Sequence, residues 1–219
     1  MGNLSGTAGN VSFRERNGKT IVCSKTKSFI PGTDRKSVER RERFGNIVRI
    51  SKAIYSIPEL KSAWQKASKK SASAFNLVIR SNLKVAGPNS IPKSIAITPP
   101  TFYSVAHSSS SICDRTVSAE LTIPLGQESD ADLFKHAKAR LAVVFSLSDP
   151  VNKTFKKFEA VASISQSTSI VLDTPTCFTI ELVPPGSQII AGYQTRRIFF
   201  ALLISDSNGN LIRHSTTFQ

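Results

Sequence analysis

Apolar residues fall into three rhythms along this chain, and each rhythm predicts a different kind of element. Near the N-terminus they form two short runs, Asn10-Val11-Ser12-Phe13-Arg14 and Thr20-Ile21-Val22-Cys23-Ser24, separated by Arg16-Asn17-Gly18-Lys19. Two strand-like runs around Asn-Gly predict a β-hairpin, because that dipeptide supplies the positive φ angles of a tight turn. After Pro31-Gly32 the rhythm becomes helical. Thr33 is the expected N-cap with Asp34 in the first turn, and Phe44, Ile47, Val48 and Tyr55 fall on one face of a helix reaching about Tyr55. A second helix is expected from Pro58, a favourable first-turn proline, through Leu60, Ala63, Trp64 and Ala67. A third runs from Ser71 to about Leu83, with Ala74, Phe75, Val78 and Ile79 on one face.

The pattern then breaks. Residues 87–111 carry Pro88, Pro92, Pro99, Pro100 and the polar run His107-Ser108-Ser109-Ser110-Ser111, which predicts an extended linker with a short strand at 94–98. Beyond it come seven short β-like segments at 116–123, 139–147, 155–162, 169–172, 177–182, 197–205 and 211–217, with turns at Asp149-Pro150, Pro184-Pro185-Gly186 and Asn208-Gly209-Asn210. Short strands at this spacing predict a sandwich of antiparallel sheets with an immunoglobulin-like topology. The antibody Cys-Trp-Cys pattern is missing, since Trp64 lies in the helical part.

The predicted fold class is therefore α+β. An N-terminal β-hairpin arm (1–30) and a small helical block (31–86) lead through a linker (87–111) to an immunoglobulin-like antiparallel β-sandwich (112–219). One hairpin is too small to be stable alone and has two open edges, so the arm is expected either to lie on its own domain or to pair with a neighbouring chain. In the second case Val11, Phe13, Ile21 and Val22 would form the assembly interface.

Charge sharpens this division. The chain of 219 residues has a net charge of +14, and residues 1–93 hold 19 Lys+Arg against 5 Asp+Glu, whereas residues 94–219 hold 10 of each. The whole net positive charge sits in the arm and helical block. A clustered positive field attracts nucleic acid, an anionic membrane or an acidic protein surface. The residues expected to meet nucleic acid or an acidic partner are Arg14, Arg16, Lys19, Lys25 and Lys27 on the arm, and Arg35, Lys36, Arg40, Arg41 and Arg43 on the first helix. No zinc module, helix-turn-helix or aromatic RNP-like motif suggests base-specific readout.

Catalytic and metal chemistry have no local signature. His107, His136 and His214 are far apart, Cys23, Cys113 and Cys177 form no CxxC, and no G-x-S-x-G elbow occurs. Gly2, Gly6 and Gly9 precede a hairpin instead of opening a helix, so they do not make a phosphate loop. Glu128-Ser129-Asp130-Ala131-Asp132 reads as the start of a short helix through His136. No enzyme, cofactor or metal is expected. An odd cysteine count without a leader predicts a reducing, cytoplasmic or virion-associated setting, and no run of about 18 apolar residues predicts membrane insertion.

The first 85 residues, through Leu4-Ser5-Gly6, Gly9-Asn10-Val11, Asn17-Gly18-Lys19-Thr20-Ile21-Val22, Pro31 and Thr33, Arg43-Phe44, Ala63-Trp64 and Phe75–Leu83, resemble an uncharacterised protein family frequent in Bacteroidetes and their mobile elements. Ser37 and Val38 depart from it, standing where that family carries a glutamine-rich stretch. The resemblance implies a basic helical N-terminal module on an immunoglobulin-like domain, acting as a phage-like or other assembly component, and it implies no catalytic residue. The expected function is a non-enzymatic subunit of a repeating assembly, such as a virion component or filament, with the chain itself as partner. The alternative is a soluble, non-specific nucleic-acid-binding protein with a β-sandwich interaction domain.

Overall fold

A computed structural model describes residues 6–16, 18–24, 30–68, 73–85, 91–113, 115–124, 134 and 136–219. The protein is α+β, with mostly antiparallel sheets, and divides into two compact units, Met1–Val38 and Glu39–Gln219.

The first unit holds the expected hairpin as β2 (Val11–Arg16) and β3 (Lys19–Ser24), with Phe13 opposite Val22 and Arg14 opposite Ile21. Gly18 takes φ +73°, the left-handed conformation that the tight turn requires. A third strand, β1 (Gly6–Ala8), pairs with β2 through Gly9 at φ +57°. Gly-Thr-Ala is too poor in strand formers to show this in sequence, and pairing imposes it. The helix α1 (Arg35–Tyr55) starts one residue later than expected: Asp34, not Thr33, caps it, its Oδ1 accepting the Ser37 amide at 2.9 Å.

In the second unit α1 continues, followed by α2 (Pro58–Ala67) and α3 (Ala74–Leu83), capped by the Ser73 hydroxyl accepting from the Asn76 amide. The strands are β4 (Ala106–Cys113), β5 (Thr116–Thr122), β6 (Lys138–Pro150), β7 (Phe158–Ile164), β8 (Thr168–Ser169), β9 (Pro175–Glu181), β10 (Tyr193–Ser205) and β11 (Leu211–His214), with a short α4 (Gly186–Ala191) before β10. One sheet has the order β11-β10-β6-β7, with β8 also on β6, and the other is β4-β5-β9.

The pair β6 and β10 explains the architecture. Their side chains alternate between two cores: Leu141, Val143, Phe145, Phe200, Leu202 and Ile204 meet Val117, Leu121, Phe178 and Ile180 of the second sheet, while Ala142, Val144, Phe199, Ala201 and Leu203 meet Ile47, Ile50, Ile54, Leu60 and Trp64 of the helices. A sheet covered on both faces needs apolar residues at consecutive positions, which is why Leu141–Phe145 and Ile198–Ile204 read as unbroken hydrophobic runs.

This layering differs from a separate helical block joined by a linker. The helices share one compact unit and one core with the strands. Residues 91–105 are bound into the unit: Ile91, Ile95 and Ile97 are buried, Trp64 Nε1 donates to the Ile97 carbonyl at 2.7 Å, and Thr98 Oγ1 donates to the Ser215 carbonyl at 2.8 Å. Prolines prevent a regular ladder there, so side chains satisfy the backbone instead. The serine run expected in the linker is the edge strand β4, exposed along most of its length. The helix face also shifts. Ile47, Ile50, Ala53 and Ile54 are buried, whereas Phe44 is 50% exposed.

Candidate functional site

In the first unit, cross-strand register decides which apolar residues act together. Partners opposite one another in an antiparallel ladder share a face, so Ala8, Val11, Phe13 and Val22 lie on one face, and Ile21 lies on the other beside Arg14 and Cys23. Of the four expected interface residues, Val11, Phe13 and Val22 are therefore brought together and Ile21 is not. Val22 is 61% exposed and β3 is exposed throughout. Among the described residues β1 and β3 each pair on one side only, leaving two open edges.

The basic residues separate into groups. Arg14 is exposed on β2, and Arg16 stands opposite Lys19 in the ladder. Lys25 and Lys27 lie outside the described residues, as do Glu128–Asp132. Arg35 and Lys36 are exposed in the first turn of α1, which has no acidic residue there. Cations at a helix N-terminus oppose the macrodipole, so this arrangement is not one that helix stability alone selects.

In the second unit α1 and α3 enclose a groove of about 470 Å³ lined by Arg40, Arg43, Phe44, Arg80, Leu83 and Lys84. Each helix contributes residues at i, i+3 and i+4, the spacing that brings side chains to one helical face. Arg40, Arg43 and Phe44 come from α1, and Arg80, Leu83 and Lys84 come from the last turn of α3 and its cap. The Arg43 guanidinium donates to the Leu83 carbonyl, satisfying one of the acceptors that a helix C-terminus leaves open. Arg43 is thereby a fixed part of the wall. Arg41 is exposed on α1 and does not line the groove.

Four cations thus surround an apolar floor of Phe44 and Leu83 with no carboxylate among the lining residues. Such a groove is suited to a group that carries negative charge next to an apolar surface. Sequence reasoning pointed to Arg40 and Arg43 but missed Arg80 and Lys84. The i, i+4 spacing of those two on a predicted helix was the available signal.

The remaining candidate chemistry is dispersed. The His107 ring lies against Phe218 at 5.3 Å and Phe200 at 6.0 Å. Burial holds the His214 pKa below the ordinary histidine value, partly offset by a backbone hydrogen bond at Ser215. Cys23, Cys113 and Cys177 are free and exposed. Among the described residues no three of His, Cys, Asp and Glu gather as metal ligands would, and no helix is long and apolar enough to cross a membrane. Phe102, unmarked in the sequence reading, is fully exposed.

No family model matches the chain, and no curated protein matches it.

Proposed function

We propose that this protein is a non-enzymatic assembly subunit whose N-terminal sheet pairs with a second copy. The observation that carries the reading is the sheet β1-β2-β3: it lies in the first compact unit, both outer edges are open among the described residues, and Val11, Phe13 and Val22 share one face. Open edges and a small apolar face favour strand addition or face packing with another chain. The strand orders β4-β5-β9 and β11-β10-β6-β7 support an immunoglobulin-like sandwich, corresponding to strands A-B-E and G-F-C-C′ of that topology. Such a sandwich supplies a rigid platform for a repeating assembly, in keeping with the resemblance to proteins of Bacteroidetes mobile elements.

Light scattering coupled to size-exclusion chromatography tests this reading. The full chain is expected to run as a large, salt-resistant particle, and either removal of residues 1–30 or Val22→Asp is expected to reduce it to monomer. A full chain that is monomeric, or a particle unchanged by both alterations, overturns the proposal.

A second reading, non-specific nucleic-acid binding, is favoured by the groove with Arg40, Arg43, Arg80 and Lys84 in its walls. It calls for an affinity that falls steeply with salt, since each neutralised phosphate releases counterions.

A further inference from the structure

We infer that the groove between α1 and α3 binds single-stranded nucleic acid, with a base stacked on Phe44 and the adjoining phosphates held by Arg40, Arg80 and Lys84. The inference rests on the nucleic-acid reading and gives it a site and a substrate class. An amphipathic helix normally buries its aromatic residue, yet Phe44 is 50% exposed while Ile47, Ile50 and Ile54 in the same helix are fully buried. The ring contributes to the floor of a groove ringed by cations from two helices. A half-exposed aromatic among cations is poor for folding and good for binding a planar anionic ligand.

The chemistry selects among polyanions. A nucleic-acid strand repeats a flat π surface beside a phosphate in every unit, so one nucleotide satisfies floor and walls together. An acidic peptide supplies carboxylates without an obligatory ring next to each. A duplex presents phosphates outward while its bases remain stacked inside, so it would engage the arginines and lysine and leave Phe44 uncovered. The volume of about 470 Å³ lies in the range of pockets that take a small organic group.

Arg43 has a different part. Its guanidinium holds the Leu83 carbonyl and so fixes α1 to the end of α3, keeping the walls at a set separation. Arg80 and Lys84 are exposed at that end. Sequence-tolerant binding is expected, because every base has a π face on which an aromatic ring can stack.

The test is fluorescence anisotropy with the full chain and a labelled oligothymidylate of about 15 nucleotides, a length within the range of known single-strand sites. The oligothymidylate is expected to bind more tightly than a duplex of the same length. Phe44→Ala is expected to weaken binding about tenfold without changing the salt slope, stacking on an aromatic being worth that order. Arg80→Gln and Lys84→Gln are each expected to lower the slope by about 0.7. Thermal denaturation of each variant, all altered at exposed positions, verifies that it folds. Binding that is untouched by all three variants overturns the site while leaving the nucleic-acid reading in place. No binding of either nucleic acid overturns both. Equal competition by polyglutamate overturns the assignment to nucleic acid in favour of an acidic protein partner.

Discussion

Asn82 holds Ala96 by both polar groups of that residue's backbone. Its Oδ1 accepts the Ala96 amide at 2.7 Å, and its Nδ2 donates to the Ala96 carbonyl at 3.1 Å and to the Val78 carbonyl at 3.0 Å. The side chain is fully buried and takes the place of a neighbouring strand for a proline-flanked segment that has none among the described residues. Asn82→Leu, similar in volume, leaves the Ala96 amide and carbonyl without these partners. It is expected to destabilise the protein by about 3 kcal/mol, since each unsatisfied buried group costs about 1–3 kcal/mol. The shift in urea midpoint measures it, and Asn82→Asp is expected to recover little, because a carboxylate cannot donate to the two carbonyls.

Stability should depend on pH through His214. Burial favours its neutral form, so its folded pKa lies below the unfolded value of about 6.5. The folded state binds the proton less readily than the unfolded chain, so the His214 contribution is fully present above pH of about 6.5 and is lost as pH falls through the folded pKa. Urea titrations across that window should show the native protein losing stability relative to His214→Gln as the pH falls. Parallel curves would sink the assignment.

Gly45 lies inside α1, and a Cβ placed there meets only Arg49 Nη1, at an ordinary 3.7 Å. Gly45→Ala is expected to stabilise the protein by about 0.5–1 kcal/mol, the cost of glycine in a helix interior. A raised melting temperature checks this.

The thiols of Cys23, Cys113 and Cys177 are exposed and free. A chromogenic disulfide reagent should therefore titrate three thiols in the native protein as fast as in urea. Protection of one upon oligomerisation would map it to an interface, and Cys23, beside Ile21 in β3, is the informative position.

Much of the local structure was legible. The hairpin around Asn17-Gly18, the three helices and the β10–β11 hairpin all follow from turn chemistry and period, which act between near neighbours. The Asp206 carboxylate, accepting the Asn208 and Asn210 amides, shows why that last turn is so well marked. Its pKa is lowered chiefly by the Asn210 side chain and amide. What was not legible depends on distant partners. The serines of β4 form a strand because β5 lies beside them, and residues 91–98 are ordered by Trp64, Asn82, Ser215 and Thr217. Half of the candidate groove was visible in the charges of α1, and the other half needed α3 to be placed against it.

Legible in the linear chain are the kind and position of most elements, the confinement of net charge to residues 1–93, and the unbroken apolar runs at 141–145 and 198–204. These follow from backbone preference and hydrophobic period, which a linear chain carries explicitly. Long-range packing settles the rest: the helices cover the second face of the β6–β10 sheet, Ile21 lies on the other face of the N-terminal sheet from Val11 and Phe13, and Phe44 lines a groove instead of the core. Burial is a property of what packs against a residue, and for these residues the partner is far away in sequence or fixed by register.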